Sequence, residues 1–407
     1  MDLPKSYITP LPQEGIQTPQ PLVNAEQQEP RVVFSLPLTK AAAQVGKAAT
    51  TRLRSLDAFR GLTILLMLLV NNVALDSGTP KQLQHAPWNA GVTMADFVFP
   101  WFLFCVGVSI PFAAASFRRK GLPAWSYDLK IIGRAVVLVL LGCLIDSSLQ
   151  RRPQFSLGVL QNIGLAYLVA SMLYDLPIVR RMLIAAAMLL GYWAAIMFIP
   201  VPGMGQGALG ETQNLIWHIN MVYLNPVHLW GLPSIISTAA LVLIGTGIGD
   251  LLRNKELLEL RRVAMLGIVG SALLVLGFLW SLNIPFNKGL WTPSYVLLTA
   301  GTGTIILGVF YLILDTAQWW QWAYPLLVFG SNAIVAYVAP ILTKLWILQV
   351  WQIGKPGATL PIDQWLQDSA KAHCGPIAGG WLFTWGYILV WWAVLWLLYR
   401  KRLFLRV

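Results

Sequence analysis

One histidine and one carboxylate lie close together in the chain, beside a run of apolar residues. His85 falls in the short polar segment 84–91 (QHAPWNAG), and Asp96 follows eleven positions later. An imidazole gives and takes protons near neutral pH, and a neighbouring carboxylate orients the ring as a general base requires. The spacing therefore predicts an acid–base site, with Trp88 beside it. A solvated loop histidine is the alternative.

The segments that must hold this site are strongly apolar. Of 407 residues, 57% are hydrophobic and 11% are charged, whereas a soluble domain carries about 25% charged residues. Apolar runs recur, each close to the ~20 residues that cross a bilayer. The composition predicts an all-α polytopic membrane bundle with about ten transmembrane helices, and about eleven as the alternative count. The predicted spans are 58–76, 92–116, 130–149, 156–175, 180–200, 232–252, 262–283, 292–315, 324–348 and 377–399.

The net charge of +12 is a topology signal. Most Lys and Arg residues cluster in alternate connections between the apolar runs, as in cytoplasmic loops. The pattern predicts cytoplasmic termini and places His85 on the other side of the membrane. Topology therefore explains the positive charge, and nucleic-acid binding is not inferred from it. Residues 1–50 lack an apolar pattern and are predicted to be a disordered cytoplasmic tail, before a membrane domain over 51–407. No Cys/His spacing indicates a metal site.

The first span carries polar residues at both ends. Asp57 and Arg60 are three residues apart, so they share a helix face. They form either an ion pair near an anionic ligand or a helix cap beside a snorkelling arginine. Asn71 lies roughly 21 Å further along the helix axis. The span could line a passage from Asp57 to His85, unless Asn71 and Asn72 only bond neighbouring helices.

Three further residues have two interpretations each. Arg134 lies inside the third run, where it could bind a phosphate or snorkel to the interface. Lys288 and Trp291 lie in a polar turn after the seventh run and could contact a sugar. For that segment alone, a turn with interface anchors is the better explanation.

Several motifs occur in one order along the chain. They are SLDAFRG at 55–61, VN at 70–71, HAPWN at 85–89, ADFVFPWF at 95–102, GVLQ at 158–161 and NKGLW at 287–291. This ordered set resembles the heparan-alpha-glucosaminide N-acetyltransferase family over nearly all of 52–400. No single motif is specific, but the set is.

The resemblance implies a transmembrane acetyltransferase. Acetyl-CoA would serve from the cytoplasm, and the acceptor would be an amino sugar or cell-envelope glycan on the other side. It implies that His85 is the base or acetyl carrier, with Asn71 as helper. Asp96, from its position near His85, is expected to orient the ring. The expected acetyl-CoA-binding residues are Asp57, Arg60, Arg134 and Gln161. The expected acceptor-binding residues are Trp88, Asn89, Lys288 and Trp291.

Two departures from the family pattern bear on these expectations. Asn162 follows the GVLQ motif where the family often has arginine, so contacts to the donor differ. The chain also lacks the large luminal N-terminal domain of the animal enzyme, which favours the short bacterial members and a bacterial inner membrane. Membrane lipids are expected neighbours, and homodimerisation is left open. The rival hypothesis is a transporter or flippase for a small anion or glycolipid, because the first span is polar and the ninth holds Pro325 and Pro340.

Overall fold

The computed structural model describes residues 53–121, 123–355 and 358–404, and nearly all of its regular structure is helical. The predicted tail over 1–50 lies outside these residues. The helices are α1 (Arg54–Asn72), α2 (Met94–Arg118), α3 (Ala124–Gln150), α4 (Val159–Met172), α5 (Ile178–Phe198), α6 (Leu215–Ile219), α7 (Ser234–Arg253), α8 (Glu259–Ser281), α9 (Pro293–Phe310), α10 (Tyr324–Ser331), α11 (Ala333–Thr343), α12 (Ile362–Cys374) and α13 (Pro376–Arg400).

Each predicted span overlaps one or two of these helices. Six helices of the described chain are long and apolar enough to cross a membrane, or seven if a bent pair counts as one span. The six are α2, α5, α7, α8, α9 with its extension to Thr316, and α13. The fold is therefore a helical membrane bundle, as composition predicts, but the predicted count of about ten spans is not confirmed.

The ninth predicted span is broken. Its two parts, Gln321–Ser331 and Ala333–Leu348, are bent by 68° relative to each other. The break falls at Asn332, whose side chain is buried and donates a hydrogen bond to the Leu403 carbonyl at 3.1 Å. The chain therefore bends at an asparagine rather than at Pro325 or Pro340, since an amide side chain can bond backbone groups from elsewhere.

A short β-hairpin and an amphipathic helix lie between the last two predicted spans. Strands β1 (Gln352–Lys355) and β2 (Ala358–Pro361) pair antiparallel, with Gln352 opposite Pro361. Helix α12 follows directly and is amphipathic. The strictly all-α prediction missed this hairpin because strands of four residues are too short to show a clear alternation of polar and apolar residues.

Glycines let two pairs of helices approach closely at the centre of the bundle. A Cβ on Gly330 of α10 would lie 1.9 Å from the Asp57 carbonyl oxygen of α1, and one on Gly61 would lie 1.8 Å from that of Leu326. Gly107 of α2 and the Val242 carbonyl of α7 are packed in the same way. In lipid, no hydrophobic driving force holds helices together, so close packing through small residues stabilises such contacts. Helices α2 and α7 form the core, whereas α5, α8 and α13 are largely exposed and lie at its edge.

The start of α1 is held by a residue far away in sequence. Leu53 caps the helix without a side-chain hydrogen bond. Instead, the Asp315 carboxylate, just beyond α9, accepts hydrogen bonds from the backbone N–H groups of Arg54 at 3.1 Å and Ser55 at 3.0 Å. The carboxylate thus satisfies two of the N–H groups that a helix N-terminus leaves unpaired.

Candidate active site

His85 and Asp96 meet at the beginning of α2. The Nδ1 atom of His85 lies 2.8 Å from Oδ1 of Asp96. The imidazole is 57% exposed, whereas the carboxylate is only 3% exposed. A buried carboxylate therefore holds one nitrogen of the ring, and the rest of the ring is open to a reactant.

Asp96 is fixed by the helix that it starts. Its Oδ2 atom accepts hydrogen bonds from the Thr93 N–H at 3.0 Å and from the Ala86 N–H at 3.1 Å. Thr93 and Asp96 form a capping box at the N-terminus of α2. The Tyr295 hydroxyl donates to the Asp96 carbonyl at 2.6 Å. The threonine three residues before an acidic residue was the sequence signal for this arrangement, and the spacing argument did not use it.

Lys288 completes a triangle with these two residues. Its Nζ atom lies 3.0 Å from His85 Nδ1 and 3.3 Å from Asp96 Oδ1. Burial lowers the pKa of Lys288 below its ordinary value, against the opposing effect of the Asp96 carboxylate. Two nitrogen groups thus share one carboxylate oxygen, although Lys288 lies 203 positions from His85 in sequence.

The other predicted acceptor residues have their own contacts within the described chain. Trp88 donates from Nε1 to the Leu209 carbonyl at 2.8 Å, and its ring lies against Gly289. Asn89 accepts a hydrogen bond from the Asn287 amide at 3.3 Å. Trp291 is only 7% exposed, and its nearest aromatic neighbours meet it edge-on. Trp88 and Asn89 therefore pack against the 287–289 turn that carries Lys288, and acceptor-binding roles for Trp88, Asn89 and Trp291 stay predictions.

Asn71 belongs to a separate cavity, here called the Asn71 cavity. It has a volume of about 400 Å³ and lies between α1, α3, α4 and α11 with its extension. Its polar lining residues are Asn71, Asn72, Asp146, Gln161, Tyr337, Lys344 and Gln349. Two residues predicted for different roles, Asn71 and Gln161, thus share one cavity.

Charged and amide groups in the Asn71 cavity are only partly paired. Gln161 is fully buried and donates from Nε2 to Asp146 Oδ2 at 2.7 Å, but its Oε1 atom has no hydrogen-bond partner. Lys344 donates from Nζ to the Asn72 side-chain oxygen at 3.2 Å. Ser156 also donates to Asp146, at 2.6 Å. The sequence argument passed over Lys344, although a lysine inside an apolar run was the available signal.

The remaining predicted donor residues are not among those that line the Asn71 cavity. The Arg134 guanidinium lies 4.7 Å from the centroid of the Tyr167 ring, and its buried Nε has no hydrogen-bond partner. Arg60 lies 3.4 Å from Asp57, as the ion-pair interpretation requires. Both residues of this pair are near the Arg54 end of α1, whereas Asn71 is at the opposite end.

The structure brings some of the predicted site together and leaves some apart. His85, Asp96 and Lys288 form one cluster, and Asn71 and Gln161 line another. His85 is not among the residues that line the Asn71 cavity. The predicted continuous passage from Asp57 to His85 therefore stays a prediction. Within 53–121, 123–355 and 358–404, no group of three or more His, Cys, Asp or Glu side chains could hold a metal ion.

The fold and this geometry define a class of protein: a helical membrane bundle with a carboxylate-oriented histidine at one helix start. Comparison with known proteins is more specific. Residues 52–150 match a family model described as a domain of unknown function, DUF5009. The human heparan-alpha-glucosaminide N-acetyltransferase is 27% identical over 435 aligned positions, which cover 88% of this chain and 60% of the human protein. The mouse enzyme is 26% identical over 436 positions, covering 89% and 61%.

The chain is thus similar to the human and mouse heparan-alpha-glucosaminide N-acetyltransferases, and the resemblance predicted from the ordered motifs is confirmed. It spans about three fifths of the length of these relatives. The matched DUF5009 region includes α1, the His85 segment, α2 and α3. It therefore contains His85, Asp96, Asn71 and Arg134.

Proposed function

We propose that this protein is a transmembrane acetyltransferase that moves an acetyl group from acetyl-CoA to the amine of an amino sugar. The observation that carries the proposal is the His85–Asp96 pair, found in a chain that is similar to two N-acetyltransferases. The pair supplies a general base that is already oriented before any substrate binds.

In this proposal, the far nitrogen of the ring carries out the proton transfer. Asp96 occupies Nδ1, so Nε2 is the atom that faces a reactant. The acceptor amine attacks the thioester carbonyl carbon; the C–N bond forms, the C–S bond breaks, and the thiolate leaves with the electron pair. Nε2 takes the proton that the amine loses. In the covalent alternative, Nε2 itself attacks first and passes the acetyl group to the amine in a second step.

We assign the donor to the α3 side of the bundle. Ile145 lines the Asn71 cavity and follows Arg134 by eleven residues on α3. The two residues therefore share a face of the helix and lie roughly 16 Å apart along its axis. The unpaired Arg134 Nε suits a phosphate oxygen. A cavity of about 400 Å³ is at the small end of ligand pockets and suits the acetyl end of the donor rather than all of it. Asn71 there would donate to the developing oxyanion.

The acceptor would approach His85 from the exposed side of its ring, past Trp88 and Asn89. In the proposal, the acceptor is a cell-envelope sugar, and the donor enters from the cytoplasm past Asp57 and Arg60. The protein lies in a bacterial inner membrane with both termini in the cytoplasm. It also requires His85 and Asn71 to approach each other during turnover, because the Asn71 cavity is lined without His85.

The test uses purified full-length protein in nanodiscs with acetyl-CoA and glucosamine. Release of CoA thiol and formation of N-acetylglucosamine are measured together. We expect His85→Ala to lower the rate by about 10²-fold or more, the scale of general-base catalysis. His218→Ala, on the short helix α6, is the matched control and should leave the rate unchanged. Transfer by His85→Ala at the wild-type rate would contradict the mechanism.

One observation favours the rival function of a transporter or flippase. Broken spans such as Gln321–Ser331 with Ala333–Leu348 are common at transporter binding sites. The same protein in liposomes separates the two hypotheses. Movement of a sugar or anion without consumption of acetyl-CoA would support transport, whereas acetyl transfer across the membrane with matching CoA release would support the enzyme.

A further inference from the structure

A groove with a volume of about 330 Å³ lies between the first turns of α2 and the middle of α9. Apart from the largely buried Trp101, its lining residues are partly or fully exposed, so the groove opens outward from the bundle. Helix α2 and helix α9 with its extension are both long and apolar enough to cross a membrane. An open groove between two such helices faces lipid.

One end of the groove belongs to the candidate active site. Gln82 and Val92 line it and lie on either side of the segment that carries His85. Thr93 also lines it, and its backbone N–H donates to Asp96 Oδ2 at 3.0 Å, while its hydroxyl oxygen lies 3.1 Å from the same atom. Thr93 alone therefore links the groove to the carboxylate that holds the His85 ring.

The rest of the groove is apolar. Phe97 and Trp101 of α2 and Ile305 and Ile306 of α9 line it. Thr302 is polar, but its hydroxyl is already hydrogen-bonded to Trp101 Nε1 at 3.0 Å and to the helix backbone at 2.9 Å. From residue 93 to residue 101 the groove extends roughly 12 Å along α2. That length fits within one leaflet of the bilayer, whose hydrocarbon is about 15 Å thick.

We propose that the acceptor amino sugar is attached to a lipid, whose chain lies in this groove while the sugar reaches His85. The groove matches such a molecule, because its polar end adjoins the catalytic pair and its apolar end extends along Phe97 and Ile306. A volume of about 330 Å³ is at the small end of ligand pockets and suits part of one chain rather than a whole lipid.

This inference rests on the proposed function and leaves its acetyl-transfer step unchanged. It adds the class of the acceptor, a lipid-linked amino sugar, and a route of entry from the membrane between α2 and α9. A sugar that arrives from water would need no groove of this kind.

Two acceptors with the same amine test the route of entry. Methyl glucosaminide stays in water, whereas dodecyl glucosaminide partitions into the bilayer. Their kcat/KM values, based on total acceptor, are measured with full-length protein in phosphatidylcholine nanodiscs and saturating acetyl-CoA. Entry from lipid should favour the dodecyl acceptor by about 10²-fold or more, the scale of gain from a second attachment. Entry from water predicts no such gain, because the bilayer then removes the dodecyl acceptor from solution.

A substitution that narrows the groove separates its effect from simple partitioning. Ile306→Trp should lower the ratio of dodecyl to methyl kcat/KM by about tenfold or more, since the added bulk occupies the place of the chain. Ile268→Trp, the same change on a lipid-exposed residue of α8 outside the groove, should leave both values unchanged. Thermal unfolding is measured for both variants. An unchanged ratio in folded Ile306→Trp would overturn the inference.

Photolabelling of the wild-type protein gives an answer even if Ile306→Trp fails to fold. Dodecyl glucosaminide with a diazirine at the end of its chain should label segments 94–101 and 302–306, and the unlabelled compound should compete. Labelling elsewhere would overturn the inference. Equal labelling of both segments by a diazirine phosphatidylcholine, undiminished by dodecyl glucosaminide, would also overturn it and make the groove a site for bulk lipid.

The two acceptors also distinguish this inference from the proposed function. Equal kcat/KM for the methyl and dodecyl compounds would overturn the inference alone. Acetyl transfer to neither acceptor would overturn the proposed function itself.

Discussion

The His85 cluster and the Asn71 cavity differ in how completely their polar groups are paired. In the cluster, both carboxylate oxygens of Asp96 and the Nδ1 atom of His85 have partners at 2.8 to 3.3 Å. In the cavity, the buried Gln161 Oε1 has none. The first region is organised without a ligand, whereas the second leaves a polar group unpaired that a bound molecule could satisfy.

The difference has a local origin. Asp96 is held by the first turn of its own helix and by Ala86 of the preceding loop, and Lys288 and Tyr295 add contacts from further along the chain. The Asn71 cavity is assembled from four helices and depends on their packing. We therefore expect substitutions in the cluster to act on the chemical step, and substitutions along the donor side to act on binding or on its coupling to chemistry.

The largest expected effect is that of Asp96→Asn. An asparagine amide can donate to Nδ1 and would hold His85 in the wrong tautomer, so kcat should fall by about 10³- to 10⁴-fold. Asp76→Asn, the same change on an exposed carboxylate that pairs with Lys371, is the control. Steady-state kinetics with acetyl-CoA and glucosamine measure the effect. A loss of less than tenfold would mean that the pairing with Asp96 does not prepare His85 for catalysis.

The second largest effect is expected for Asn71→Ala, which tests whether the Asn71 cavity takes part in the chemistry at His85. If Asn71 stabilises the oxyanion, Asn71→Ala should lower kcat by about 10²- to 10³-fold with little change in KM. Asn71 is exposed, so thermal unfolding should not change. A wild-type kcat would separate the Asn71 cavity from the chemistry and leave the His85 cluster as the whole active site.

The smallest effect is expected for Arg134→Gln. A hydrogen bond to a charged group contributes about 1.5–3 kcal/mol, so KM for acetyl-CoA should rise by at least about tenfold while kcat changes little. Arg180→Gln, on an exposed arginine at the start of α5, is the matched control. An unchanged KM would remove Arg134 from the donor path and favour its cation–π contact with Tyr167 as its main role.

Much of the fold could be predicted from the sequence, because apolar runs of bilayer length overlap the observed helices. The His85–Asp96 contact was also predictable, since eleven residues separate a loop histidine from the first turn of the next helix. The number of spans was not, because an apolar run of bilayer length, such as 156–175, can contain a helix as short as the 14 residues of α4.

Contacts between residues distant in sequence were the part that could not be predicted. Lys288 is 203 positions from His85, and nothing local to its turn indicates that its ammonium reaches the imidazole. Lys344 is 272 positions from Asn72. Such pairs depend on how α1, α9 and α11 pack, and a single sequence contains no periodic signal for that packing.

The Asp315 carboxylate at the start of α1 sets an order of events during synthesis. Ser55 and its partner are 260 positions apart, so a ribosome adding about 5–20 residues per second reaches the acid roughly 13 to 52 s after the serine. Until then, the leading amides of the first helix lack this acceptor. The helix that carries Asn71 therefore gains the acceptor at its Arg54 end only after the chain has been made through α9.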